Sequence, residues 1–100
     1  MPSINVSVPF SISKDEALRR IRNIVGELQK DFADKMTNVR EEWRNDTADF
    51  SFDVMGFSVS GNVRVEANRV LLDGNIPFAV LPFKSRIEDL IREKTSELLS

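Results

Sequence analysis

The chain contains no cysteine and no histidine. Without cysteine there is no disulfide, no thiolate nucleophile and no thiolate metal site. Without histidine the commonest general base and the commonest transition-metal ligand are missing. These two absences put a Ser/His triad, a zinc hydrolase and a Cys/His transferase out of reach, and leave carboxylate or lysine catalysis as the open routes. Gly-rich phosphate loops and clusters with metal-ligand spacing are also missing, so no metal and no other cofactor is expected. No apolar run approaches the ~20 residues of a membrane span. Met1-Pro2-Ser3-Ile4-Asn5 has neither the basic nor the apolar region of a signal peptide, and the expectation is a cytoplasmic protein. The sequons Asn5-Val6-Ser7 and Asn45-Asp46-Thr47 then read as chance. Charge of one sign is lacking as well. The 14 Lys and Arg nearly balance 16 Asp and Glu, giving −2, so no broad positive field exists to hold nucleic acid.

What is present is ordinary globular material. One hundred residues, 41% hydrophobic and 30% charged, are expected to form a single domain over 1–100 rather than a disordered chain. Ile4, Val6, Val8 and Phe10 alternate with Asn5, Ser7 and Pro9, which predicts a strand with one wet face. Pro9 offers no N–H, so this strand belongs at a sheet edge or ends near it. Ser13 and Glu16 form a capping box, and Leu18, Ile21, Val25, Leu28 and Phe32 recur at helical spacing. The pattern predicts one long amphipathic helix, roughly 13 to 35. Gly26 inside it marks either a close approach to another element or a neutral substitution.

Four strands are expected next. Val39, Glu41 and Trp43 share a face of the first, and Ala48, Phe50, Phe52 and Val54 share a face of the second. Gly56 ends that run. Phe57, Val59, Gly61, Val63 and Val65 alternate in the third. Val70, Leu72, Ile76, Phe78 and Val80 lie on one side of the last, where Asp73-Gly74-Asn75 predicts a bulge or break. At Pro82 the period changes from two to helical, because proline stops a strand and is tolerated at the start of a helix. The final helix runs from Pro82 or Phe83 to Leu99, with Phe83 and Ile87 as its first core anchors and Leu90, Ile91 and Leu98 on the same face. The order β-α-β-β-β-β-α predicts an α+β fold, a curved antiparallel sheet packed on two helices in a reduced helix-grip-like arrangement.

Candidate chemistry is sparse. Asp49 and Asp53 share a strand face but stand ~13 Å apart at the usual rise, too far for a paired-carboxylate mechanism. Glu41 shares a face with Val39 and Trp43, where a carboxylate could act as acid or base; an end-of-strand or paired position is the bland alternative. Trp43, Phe50, Phe52, Phe57, Phe78 and Phe83 all fall on predicted inward faces. They are either the core or the lining of a cavity for an apolar ligand. Lys84, Arg86, Arg92 and Lys94 on the last helix are offset by Glu88, Asp89, Glu93 and Glu97, as on a solvated face. The edge strands also admit a homodimer.

The closing segment IPFAVLPFKSRIEDLI, with Pro82, Phe83, Lys84, Ile87 and Glu88, resembles the end of the polyhydroxyalkanoic acid system protein family. Trp43, Asp46, Phe50, Phe52, Gly56, Gly61, Val63 and Val65 look like that family's middle strands, and Ser13 through Leu28 like its first helix. Members often carry a histidine just after the first strand. Here that stretch reads Phe10-Ser11-Ile12-Ser13, so no role resting on that histidine carries over. The resemblance implies a small bacterial cytoplasmic protein linked to polyester storage. It points to a non-enzymatic accessory protein at the granule surface or, alternatively, a carrier of a hydrophobic acyl ligand with a pocket between the sheet and the last helix.

Overall fold

A computed structural model describes residues 2–31 and 34–100. Five strands form one antiparallel sheet: β1 (Ser3–Pro9), β2 (Met36–Arg44), β3 (Thr47–Val54), β4 (Phe57–Val65) and β5 (Arg69–Asn75), in the spatial order β1-β5-β4-β3-β2. Helices α1 (Lys14–Ile21) and α2 (Ile24–Asp31) follow β1, and α3 (Lys84–Leu99) closes the chain. The architecture is the expected α+β fold: a curved antiparallel sheet that holds its helices on one face.

Strand register arranges the inner face in cross-strand rows. Val8, Val70 and Val65 form the first; Val6, Leu72, Val63, Ala48 and Trp43 the second. Ile4, Gly74, Gly61, Phe50 and Glu41 form the third. The first two rows apart from the edge residue Trp43, with Ala17, Ile21, Ile24 and Val25 from the first two helices and Leu99 from α3, make the buried core. β1 lies at a sheet edge as its Pro9 requires, and Pro9 sits at its last position opposite Arg69. Part of that edge is covered: Glu88 of α3 accepts the Asn5 N–H at 3.0 Å.

Four local expectations are corrected. The long first helix is broken at Arg22-Asn23. The Asn23 N–H bonds the Arg20 carbonyl (3.1 Å), an i−3 bond that tightens the turn, and its side-chain amide reaches the Arg19 carbonyl (3.5 Å). Asparagine competes for backbone partners in this way and so ends helices readily. The far end of the expected helix reached Phe32, which lies outside the described residues. Its start is as read, with Ser13 Oγ accepting the Glu16 N–H at 3.2 Å. Gly26 has nothing within 4 Å of where a Cβ would stand, which removes the close-approach explanation.

The second correction concerns the irregularity in the sheet. No bulge forms at Asp73, Gly74 and Asn75, which pair in register to Asn5, Ile4 and Ser3; of the two readings the break holds, because the strand ends at Asn75. The register shift lies instead between Thr37 and Arg40 of β2, where Asn38 has φ 54°. Third, β5 ends at Asn75 rather than Val80. Phe57–Val59 of β4 run on beside it, but Pro77 has no N–H to give a ladder and the chain leaves the sheet there, although the Ile76 N–H still reaches the Pro2 carbonyl at 3.0 Å. Phe78–Phe83 is a 3-10 turn, with the Val80 N–H bonding the Pro77 carbonyl at 3.0 Å, and Pro82 sits inside it rather than at a strand end. Fourth, Phe83 is not a core anchor: it is 57% exposed, and α3 starts one residue later at Lys84.

Candidate ligand cleft

Beyond the second row the inner face loses bulk. Gly74 and Gly61 stand side by side in the third row, flanked by Ile4 and Phe50. A Cβ on Gly61 would lie 2.3 Å from the Asp73 carbonyl oxygen and 2.8 Å from the tip of the Phe50 ring. A Cβ on Gly74 would lie 3.2 Å from Ile4 Cγ1. The two glycines therefore let neighbouring side chains fold over bare backbone and sink the floor of the sheet. Phe50 and Phe52, two residues apart on the same face, stack at 6.2 Å between centroids.

α2 and α3 roof this depression without filling it. The result is a cleft of about 510 Å³. Its floor is Ile4, Val63, Leu72, Gly74, Phe50, Phe52, Val54, Phe57 and Val59 from the sheet. Its walls are Ile24, Val25 and Leu28 from α2, and Ile87, Leu90 and Ile91 from α3. Met36, Ile76, Val80 and Phe83 complete it. Asp73 is the one polar residue among the described lining residues. Its pairing opposite Asn62 and Asn5 turns its side chain to the other face of the sheet. An apolar recess of this size falls within the ~300–1,000 Å³ of small-molecule sites.

The mouth is also apolar. Met55 is 68% exposed and Phe57 37%, at the tip of the β3–β4 hairpin. Met55 (φ 52°) and Gly56 (φ 84°) both take the left-handed conformation that a two-residue hairpin loop with the twist of the sheet requires. Glycine accepts it freely, whereas methionine does so against its preference, which leaves a large thioether in solvent beside the cleft. The 3-10 turn has period three, so Val80 and Phe83 share the cleft side while Phe78 (71% exposed) and Leu81 (43%) share the other. Reading this segment as a strand places Phe78 inward. The period-three turn places it in water.

Of the six aromatics singled out by the sequence, the structure brings Phe50, Phe52, Phe57 and Phe83 together in the cleft. Trp43 and Phe78 stand outside it. Trp43 packs against the core from the edge strand β2, with the Arg22 guanidinium 5.7 Å from its ring centre and its indole N–H buried without a partner among the described residues. Sequence reasoning missed Gly74, Met55 and Leu90 as site residues. A glycine at an inward position of each of two neighbouring strands was the available signal, but it becomes a pair only once the register is known.

Ion pairs hold the roof. Lys94 of α3 bridges to Asp31 at the end of α2 at 2.7 Å, and this bond raises the Lys94 pKa. Arg20 of α1 donates to the backbone oxygens of Leu98 (3.4 Å) and Ser100 (3.0 Å), tying down the end of α3. The same Arg20 bonds Glu16, which also bonds Arg19. Arg19 first, then Arg20, lower the Glu16 pKa from 4.5 to about 2.

The carboxylates considered for catalysis are placed elsewhere. Asp49 and Glu42 both accept from Arg44 on the outer face. Asp53 accepts from Asn38 and Ser58, each at 2.8 Å, and these bonds lower its pKa. Glu41 is exposed opposite Phe50 on the edge strand.

Over residues 4–99 the chain matches the family described as putative polyhydroxyalkanoic acid system protein, and it belongs to that family. No curated protein matches it. Among solved structures, that of TTHA0849 from Thermus thermophilus is similar at 12% identity and a TM-score of 0.36, over 98% of this chain and 92% of that one.

Proposed function

We propose that this family member is a non-enzymatic binding protein of polyhydroxyalkanoate storage, and that its apolar cleft is where it takes hold of hydrophobic acyl material. The observation that carries this reading is the cleft itself. A small chain has every reason to close its core, because apolar surface left in water forgoes about 25 cal/mol per Å². Here the floor is lowered by two glycines and the mouth is lined with exposed Met55, Phe57 and Phe83. Large apolar residues grouped around a recess mark interaction surfaces more often than isolated ones do. The lack of a convergent acid, base or nucleophile among the described residues of that recess favours binding over turnover.

On this reading the protein works in the cytoplasm at the polyester granule. The direct test is fractionation of granules from a producing cell, with a Phe57→Ser/Phe83→Ser double variant as control. Wild-type protein is expected with the granules and the variant in the supernatant. A wild-type protein that stays wholly in solution, and whose deletion changes neither granule number nor size, rules the granule role out.

A second reading, a carrier for a dissolved acyl compound, is favoured by one feature: the cleft is recessed under α3 rather than flat. It predicts saturable one-to-one binding of acyl compounds without granule attachment.

A further inference from the structure

The lining of the cleft carries more information than its size. Its described side chains are aliphatic, aromatic or thioether; none donates a hydrogen bond and none is cationic. From Ser60 inward the floor's backbone groups are engaged in the β3–β4–β5 and β1–β5 ladders, and only towards the mouth, at Phe57–Val59, does β4 run on without a β5 partner. A carboxylate or an ester carbonyl placed inside would give up its water and gain no partner, a loss that buried polar groups do not tolerate. Alkyl groups have no such penalty. A methyl group alone would touch few of the walls, and side chains facing a void forfeit their dispersion contacts.

A polyhydroxyalkanoate repeat is an ester unit bearing a pendant alkyl group. We propose that the cleft receives that alkyl group and leaves the ester or carboxyl end in water, so that the protein selects units with long side chains over units with a methyl. This deepens, and rests on, the reading of the cleft as a site for storage-polymer material.

The test uses the full chain and a neutral solvatochromic dye bound in the cleft. The dye is displaced by methyl esters of hydroxyalkanoic acids whose side chains run from methyl to heptyl, each kept below its aggregation concentration. Affinity is expected to rise about fourfold per methylene until the cleft is full, the step that burial of one CH₂ supplies. The free acid and the methyl ester of one chain length should bind alike at neutral pH. Ile87→Trp narrows the cleft and should end the rise at a shorter chain. Leu90→Trp, which starts from a partly exposed position, serves if the first variant does not fold.

Affinity independent of chain length, a marked preference for the free acid, or a series unchanged by both tryptophan variants overturns the inference. So does dye binding that fades as protein concentration rises while a dimer appears in sedimentation velocity, which would assign the cleft to a second copy of the chain. The two readings separate cleanly. A protein that sediments with granules yet shows a flat series keeps the storage role and loses the alkyl preference. A steep series without granule attachment keeps the preference and loses the storage role.

Discussion

At one end of the inner face, Val8, Val70 and Val65 lie abreast on three strands under Ile21 and Leu99, all nearly inaccessible to water. At the other end, two rows away, the positions abreast are Ile4, Gly74, Gly61 and Phe50, and the helices above do not reach the floor. The same sheet, with the same alternation, makes a sealed core where the row is all valine and a recess where it holds two glycines. Stability is concentrated at the first end and binding surface at the second, a division that proteins with open sites commonly show because a recess is unspent core. Substitutions at the two ends should therefore separate folding from binding.

The largest effect is expected at the sealed end. Ile21→Ala removes a fully buried side chain beneath α3 and should cost about 2–5 kcal/mol in urea unfolding, the range for such truncations. A loss under about 1 kcal/mol would mean that this end is not the stable one. Gly61→Ala comes next. Its new methyl would stand 2.3 Å from the Asp73 carbonyl oxygen, so β4 and β5 must shift, at a cost of about 1–3 kcal/mol. Because the shift is in the floor of the recess, dye binding should change with it. Stability lost with dye binding unaltered would detach the glycine pair from the site.

How far the sequence alone reveals this division follows from what each signal depends on. Period-two alternation and the Ser13–Glu16 cap depend on local chemistry, and they yield the five strands and the start of α1. The gap between α1 and α2 rests on one asparagine in a pattern that otherwise continues, so periodicity runs across it. Ile76, Phe78 and Val80 alternate like a strand, but Pro77 between them cannot donate to a ladder, and the chain turns away from β4, whose Phe57–Val59 continue without it. The recess was half visible. Phe50, Phe52 and Phe57 fall on the inward faces as read, whereas the Gly61–Gly74 pair exists only through register, and Thr95, fully buried on α3, breaks the apolar stripe that marks a helix face.

Acid should loosen the sealed end through Glu16. Glu16 holds Arg20, and Arg20 holds the last carbonyls of α3. The folded-state pKa of Glu16 is depressed to about 2 from 4.5, so its contribution is present above pH 4.5 and is lost as pH falls towards 2. Glu16 is half-buried at the surface and screened by solvent, so the expected effect is modest. In thermal melts across that window, Glu16→Gln should show a shallower fall in Tm than wild type. Parallel curves for the two proteins would place the acid sensitivity elsewhere.

The smallest effect on stability is expected at the open end, from the most drastic change of chemistry. Phe83 lies between the 3-10 turn and α3, and its sequence context makes it look like the helix's first core anchor, for which Phe83→Asp would be an unfolding substitution. It is 57% exposed, with its remaining surface turned to the recess and not to the valine row. Little apolar area is therefore returned to water in the variant, and the new carboxylate stays solvated at the mouth. The loss should stay within about 1 kcal/mol, near the range of surface substitutions. The dye should bind about tenfold more weakly, because it loses the phenyl contact at the rim and would have to strip water from the new carboxylate as it enters. If Phe83→Asp unfolds the chain, the recess is part of the core after all, and the two ends of the sheet are one.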